Sequence, residues 1–155
     1  MNIFVTDSDP IKAAQNLCDK HVPKMVLESC QMLCSVFEPG IAPYKRTHYN
    51  HPCSIWVRTS LENYFWLIEH AWGITEEYTK RFGKLHKCSS VLFWVTENCK
   101  KLHFPLKEQT QFVQAMPPEY KVPDDPIMGY RNYYKGAKAR FAKWNKGTSA
   151  PDWWS

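Results

Sequence analysis

Residues 59–83 read TSLENYFWLIEHAWGITEEYTKRFG, and this stretch decides the fold. Thr59-Ser60-Leu61-Glu62 has the side chains of a capping box, in which a hydroxyl caps the first turn and a carboxylate reaches back. Leu61, Phe65, Ile68, Trp72, Thr75 and Phe82 recur at helical spacing and predict a core stripe on a helix from Thr59 to Phe82. Gly83 is a natural stop for that helix. Lys80, Arg81, Lys84 and Lys87 cluster at its end, where cations suit the helix dipole and equally suit phosphate.

The same reading extends outward in both directions. Upstream, Asn2–Val5 is a short extended segment. Asp9-Pro10 starts a helix to about Asp19, with Asp as cap and Pro in the first turn. Pro23 interrupts the pattern, as a kink or as the first turn of a second helix that ends near Phe37. Val22, Val26, Cys30, Leu33 and Phe37 form the core face of that helix. Residues 39–58, PGIAPYKRTHYNHPCSIWVR, read as an ordered loop. Downstream, Ser89 or Ser90 caps a shorter helix to about Lys101, and residues 102–124 are Pro-rich and irregular. Asp125-Pro126 starts a last helix through Trp144, and the tail GTSAPDWWS docks its two tryptophans on the body. With no strand pattern beyond the N-terminus, the class is all-α. We expect a compact single-domain bundle of four to five helices with long ordered loops, over residues 1–155.

Composition narrows the function. The chain has 155 residues, 44% hydrophobic and 15% aromatic, which excludes a disordered chain and suits one domain. Net charge is +5, a balance that favours polyanion partners. Between Ile127 and Gly147 there are six Lys or Arg and no acid, with Tyr130, Tyr133, Tyr134, Phe141 and Trp144 interleaved. Cations give salt-sensitive attraction to phosphate and rings give stacking contacts to bases. Arg131, Tyr134, Lys135, Lys138 and Arg140 are therefore expected to bind nucleic acid, together with Arg58, Lys84 and Lys87. No signal peptide or membrane span is read, so a soluble, cytoplasmic protein with reduced thiols is expected. Cys30 and Cys34 lie one turn apart, with His48, His51 and Cys53 further on. Their spacing fits no standard zinc module, and neither metal nor other cofactor is expected.

His21, Lys24, Glu28 and Gln31 are spaced three, four and three apart, so they share one helical face. A carboxylate beside an amine is the minimum kit for glycosidic or imine chemistry. In a partly buried pocket Glu28 would act as acid or base. The same face would also serve as a solvated stripe, with an i, i+4 pair between Lys24 and Glu28. His21 would contact phosphate, shuttle a proton or hydrogen-bond structurally. In the loop from His48 to Arg58, the residues His48, Asn50, His51 and Trp56 would frame a base or nucleotide pocket. Alternatively, Trp56 packs into the core of a Pro-locked loop.

Three blocks resemble the small phage-type pyrimidine-dimer DNA glycosylases, the endonuclease V type with abasic-lyase activity. They are LCDKHVPKMVLE (Leu17 to Glu28), HPCSIWVR with the long helix ending in KRFG (Lys80 to Gly83), and YRNYYKGAK (Tyr130 to Lys138). The resemblance implies a compact helical domain, a catalytic role for Glu28 and a matching histidine at His21. It also implies attack by the α-amine of a Thr exposed when the initiator Met is lost. Here Asn2 follows Met1, and Met removal before a side chain as large as Asn is disfavoured. The family's arginines flanking the catalytic Glu are replaced by Leu27 and Gln31, with Lys20 and Lys24 as the nearby cations.

Three functions compete on this reading. The first is a DNA glycosylase, with or without lyase activity, acting on a damaged or modified base. There Glu28 and a terminal amine or Lys24 do the chemistry, and host-cell cytoplasm is the location if the protein is phage-encoded. The second is a non-catalytic phage-type accessory protein that binds DNA or a nucleotide. The third is a hydrolase of free nucleotides using the His48 to Arg58 loop. The oligomeric state is not fixed by any of these features.

Overall fold

Ser60 starts the longest helix. In the computed structural model, which describes all 155 residues, six helices form: α1 (Pro10–Gln15), α2 (His21–Cys34), α3 (Pro52–Thr59), α4 (Leu61–Phe82), α5 (Ser89–Asn98) and α6 (Pro126–Tyr133). There is no strand, so the class is all-α as expected. The Ser60 hydroxyl accepts the Asn63 N–H at 3.0 Å, which makes Ser60 rather than Thr59 the cap. Two further orphan donors of the first turn, Leu61 and Glu62 N–H, bond to the carbonyls of Leu106 and Lys107 at 2.9 and 3.0 Å. The Pro-rich segment after α5 therefore lies across the start of α4. At the other end Gly83 adopts φ 71°, and its N–H closes on the Thr79 carbonyl at 2.9 Å, the left-handed stop that glycine favours.

α4 is the central helix and touches α1, α2, α3 and α5. That corrects the expected stripe. Ile68 and Thr75 are buried, but Phe65 is exposed and Leu61, Trp72 and Phe82 are only half-buried. The buried face instead runs through Tyr64, Leu67, Ala71 and Ile74. Because neighbours pack on more than one side, polar residues are buried too, most of their polar atoms paired, although the His70 Nε2 has no partner. Asn63 bonds the Trp56 carbonyl at 2.8 Å, Tyr64 the Leu33 carbonyl at 2.9 Å, and His70 the Pro10 carbonyl at 2.9 Å. Gly73 lets α1 approach closely, since a Cβ there would stand 3.0 Å from the Ala14 Cβ.

Four other boundaries differ from expectation. α1 stops at Gln15, before Asp19. Pro23 lies in the first turn of α2, where its missing N–H costs nothing, and α2 ends at Cys34. Residues 52–59 are helical instead of loop: the His51 ring Nδ1 accepts the Cys53 N–H at 3.0 Å, Pro52 takes the first position, and Trp56 and Val57 turn into the core. The last helix ends at Tyr133 and passes into a π-turn over Tyr134–Lys138, so no helix reaches Trp144. Gly136 abuts Tyr120, whose ring leaves no room for a Cβ at that position.

One contiguous core of 31 buried residues draws on every helix and on the segment Ile3–Val5. The tail does dock. The Trp144 indole bonds the Asn16 carbonyl at 3.1 Å, and Trp154 packs edge-on against Trp144 with centroids 4.8 Å apart. No helix is long and apolar enough to cross a membrane.

Candidate active site around Glu28

The apolar face of α2 (Val22, Val26, Cys30 and Leu33, all buried) turns the His21–Glu28 stripe toward the first residues of the chain. Glu28 is 8% exposed. Its Oε1 accepts the Asn2 N–H at 3.0 Å and lies 3.3 Å from the Met1 α-amine. Its Oε2 lies 3.8 Å from the Lys24 Nζ, on a side chain that is 66% exposed. One oxygen thus faces an enclosed backbone amine and the other faces a solvated lysine. The Asn2 side chain builds this corner. Its Oδ1 accepts the N–H groups of Ile3 and Phe4 at 2.7 and 3.0 Å, and its Nδ2 donates to the Ala115 carbonyl at 2.8 Å. That local cage holds Phe4 at φ 58°, a left-handed conformation a bulky residue adopts only when its surroundings impose it.

His21 is buried beneath the same corner. Phe4 stacks on its ring at 4.6 Å, and Tyr134 and Phe141 pack edge-on, each at 5.3 Å. The Tyr134 hydroxyl accepts the Cys18 N–H at 3.0 Å and is hydrogen-bonded to the His21 Nδ1, 2.8 Å away. Burial first, and then the charges of Lys138, Lys24 and Lys20, push His21 down from its ordinary 6.5 to about 4. At neutral pH it is an uncharged ring, so it positions the corner and does not carry charge to a phosphate. Lys138 and Phe141 bring the C-terminal segment to the site. The Lys138 ammonium lies over the rings of Phe4 and Tyr133 at 5.6 and 4.8 Å, and Lys20 lies over Phe141 at 4.7 Å.

The expected pocket in the His48 to Arg58 loop does not assemble as drawn. Trp56 is a core residue whose indole bonds the Gln111 carbonyl at 3.0 Å. His48 and Asn50 stand exposed. His51 is half-buried and near enough to feel the charges of Glu28 and the Met1 amine. Because its Nδ1 accepts a backbone N–H, its neutral form carries the proton on Nε2. Burial, followed by the charges of the Met1 amine and His48, lowers its pKa, while Glu28 pulls the other way. The thiols and imidazoles of Cys30, Cys34, His48, His51 and Cys53 do not converge as a set of metal ligands.

The expected nucleic-acid residues separate into two groups. Lys84, Lys87, Lys135 and Arg140 are exposed and Lys138 is half-buried. The others are engaged within the protein. Arg58 stacks on Tyr49 at 3.7 Å and bonds its carbonyl. Arg131 bonds the Thr6 carbonyl at 2.9 Å and faces Asp7. Tyr134 is fully buried, which corrects its assignment to a binding surface. Arg81, grouped in the sequence with the surface lysines, is buried as well, between Glu77 and Asp19. Lys24, Lys84 and Lys87 instead share a cleft of about 550 Å³ that contains no carboxylate.

A family model for pyrimidine dimer DNA glycosylases matches residues 1–89, more than half of the chain. The chain belongs to that family. The matched span includes α1 to α4, the Glu28 corner and the lysines of the cleft, whereas Lys138 and Tyr134 come from outside it. No curated protein and no solved structure matches the chain. Glu28, His21 and Lys24, singled out from the sequence by their spacing, lie together at this corner. Asn2 and Phe4, which build the corner, were not legible there, because they act through backbone groups and a strained φ that leave no residue pattern.

Proposed function

We propose that this protein is a DNA glycosylase with an abasic-site lyase step, acting on a damaged or modified base. The observation that carries the reading is the enclosed Glu28 Oε1, which meets the Met1 α-amine at 3.3 Å and the Asn2 nitrogen at 3.0 Å. In this scheme the amine lone pair attacks the sugar C1′. The bond from C1′ to the base breaks, and its electron pair leaves with the base, which takes up a proton. Glu28 accepts the proton lost by the amine and faces the cationic sugar as it forms. Opening of the C1′–O4′ bond, with protonation of O4′, gives an imine on Met1. Removal of a 2′ proton then expels the 3′ phosphate. Lys24 is the weaker nucleophile candidate, because its side chain is 66% exposed and stands 3.8 Å from Oε2, whereas the α-amine is enclosed 3.3 Å from Oε1. A protein that repairs DNA would work inside the cell, on a base turned out of its stack.

The test is borohydride trapping on ultraviolet-irradiated duplex, with the intact mass measured on the same protein. The expected result is a covalent adduct mapped to the terminal amine. Glu28→Gln is expected to lower turnover by about 10²–10⁴-fold while DNA affinity stays within a few-fold. Absence of both nicking and adduct from the wild-type protein sinks the lyase step. Leu27 and Gln31, in place of the family's arginines, favour a second reading: a DNA-binding accessory protein without turnover. It predicts that Glu28→Gln changes nothing measurable.

A further inference from the structure

Leu85 is 74% exposed, more than any other large apolar side chain of this protein. Single exposed leucines are ordinary, but the setting of this one is not. Gly83 reverses the chain after α4, and the turn that follows is fastened. The His86 Nε2–H donates to the Pro23 carbonyl at 3.0 Å, and its Nδ1 accepts the Cys88 N–H at 3.0 Å. Tyr78 packs edge-on against the same ring at 4.7 Å. Leu85 is therefore held out from the body. It forms a ridge between two clefts, one shared with Lys24, Leu27, Lys84 and Lys87 and free of carboxylates, the other with Trp72 and Lys80. Lys24 links the first cleft to Glu28.

We infer that Leu85 is a wedge that enters the base stack of duplex DNA while Lys84 and Lys87 hold phosphates beside it. This rests on the reading of the chain as a DNA-acting protein. Duplex DNA meets both halves of the surface, with phosphates for the lysines and unstacked base faces for the leucine. An anionic membrane would also attract lysines and an apolar tip. The concave cleft that shares Lys24 with the buried carboxylate favours DNA.

The test uses the full chain and a duplex with 2-aminopurine beside a tetrahydrofuran abasic analogue, so that no turnover is needed. Wild-type protein is expected to raise 2-aminopurine fluorescence by unstacking it. Leu85→Ala should reduce that rise about tenfold with an unchanged far-ultraviolet circular dichroism spectrum, and Leu85→Phe should keep it. Lys84→Ala with Lys87→Ala should lower the salt slope of binding by about 1.8. Equal fluorescence and affinity for Leu85→Ala and wild type would overturn the wedge. So would Leu85-dependent binding to phosphatidylserine vesicles with unchanged DNA binding. A trapped borohydride adduct without Leu85-dependent fluorescence removes the wedge and keeps the glycosylase. Leu85-dependent fluorescence without an adduct does the reverse.

Discussion

Two buried carboxylate–cation groups lie within this small helical body, and they are built in opposite ways. Around Arg81 every donor is spent. The guanidinium bonds Glu77 Oε1 at 2.8 and 3.1 Å, Asp19 at 3.3 Å, and the carbonyls of Leu17 and Gln15 at 2.6 and 3.0 Å. The free oxygen of Asp19 accepts the Asn145 N–H at 2.8 Å. That group ties the loop before α2, the end of α4 and the C-terminal segment into one unit. Around Glu28 the satisfaction is one-sided, with backbone nitrogens on Oε1 and only a solvated lysine near Oε2. A closed network holds a fold, whereas a half-open one leaves room for a substrate.

The sharpest way to break this contrast is Arg81→Met. It leaves Glu77 and Asp19 buried without a counter-charge and is expected to cost about 3–5 kcal/mol. Thermal melting followed by circular dichroism should fall by roughly 10 °C. A shift of a degree or two would show that the network is not what holds the chain ends together.

A second effect is pH-dependent and tests whether the corner under Glu28 is as closed as the geometry says. His21 and His70 are both lowered by burial from 6.5 to about 4. Above pH 6.5 each ring is neutral in the folded and unfolded chains, and its contribution is fully present. Between 6.5 and 4 the unfolded chain binds the proton and the folded chain does not. Stability therefore falls with falling pH, by about 1.4 kcal/mol per pH unit per ring. Urea titrations across that window should show the slope, to which His51 and His86 add in the same direction, and His21→Leu should lower it by about 1.4 kcal/mol per pH unit. A flat profile would mean that the rings accept protons in the folded state.

The smallest expected effect is at Lys24. Its exposed i, i+4 pair with Glu28 contributes about 0.3–0.5 kcal/mol, so Lys24→Ala should scarcely move the melting temperature. If Lys24 meets a phosphate, the same variant lowers the salt slope of DNA binding by about 0.9. A large stability loss with no change in slope would place it with the structural cations instead.

These contrasts also explain what the residues alone could disclose. The α4 ends were legible because Ser60 and Gly83 carry local cap chemistry. The core face of α2 was legible because Val22, Val26, Cys30 and Leu33 repeat at helical spacing. Glu28 stood out through its stripe and its likeness to the glycosylase motif. Arg81 was read as a surface cation because two of its partners are backbone carbonyls, which no residue type announces. The helix at 52–59 went unread because a histidine ring caps it and only eight residues follow. The last helix ends at Tyr133, and the Gly136 approach to Tyr120 beyond it joins positions sixteen apart that periodicity along one segment cannot register.

The corner around Glu28 also draws on both extremities of the polypeptide. Asn2 hangs on the Ala115 carbonyl, and His21 is capped by Tyr134. Domains emerge from the ribosome amino end first, so α1 and α2 exist long before their covering residues are translated. The corner can thus be completed only after Ala115 and Tyr134 have been translated, and a nascent chain stalled after α5 would carry Glu28 without these covering residues.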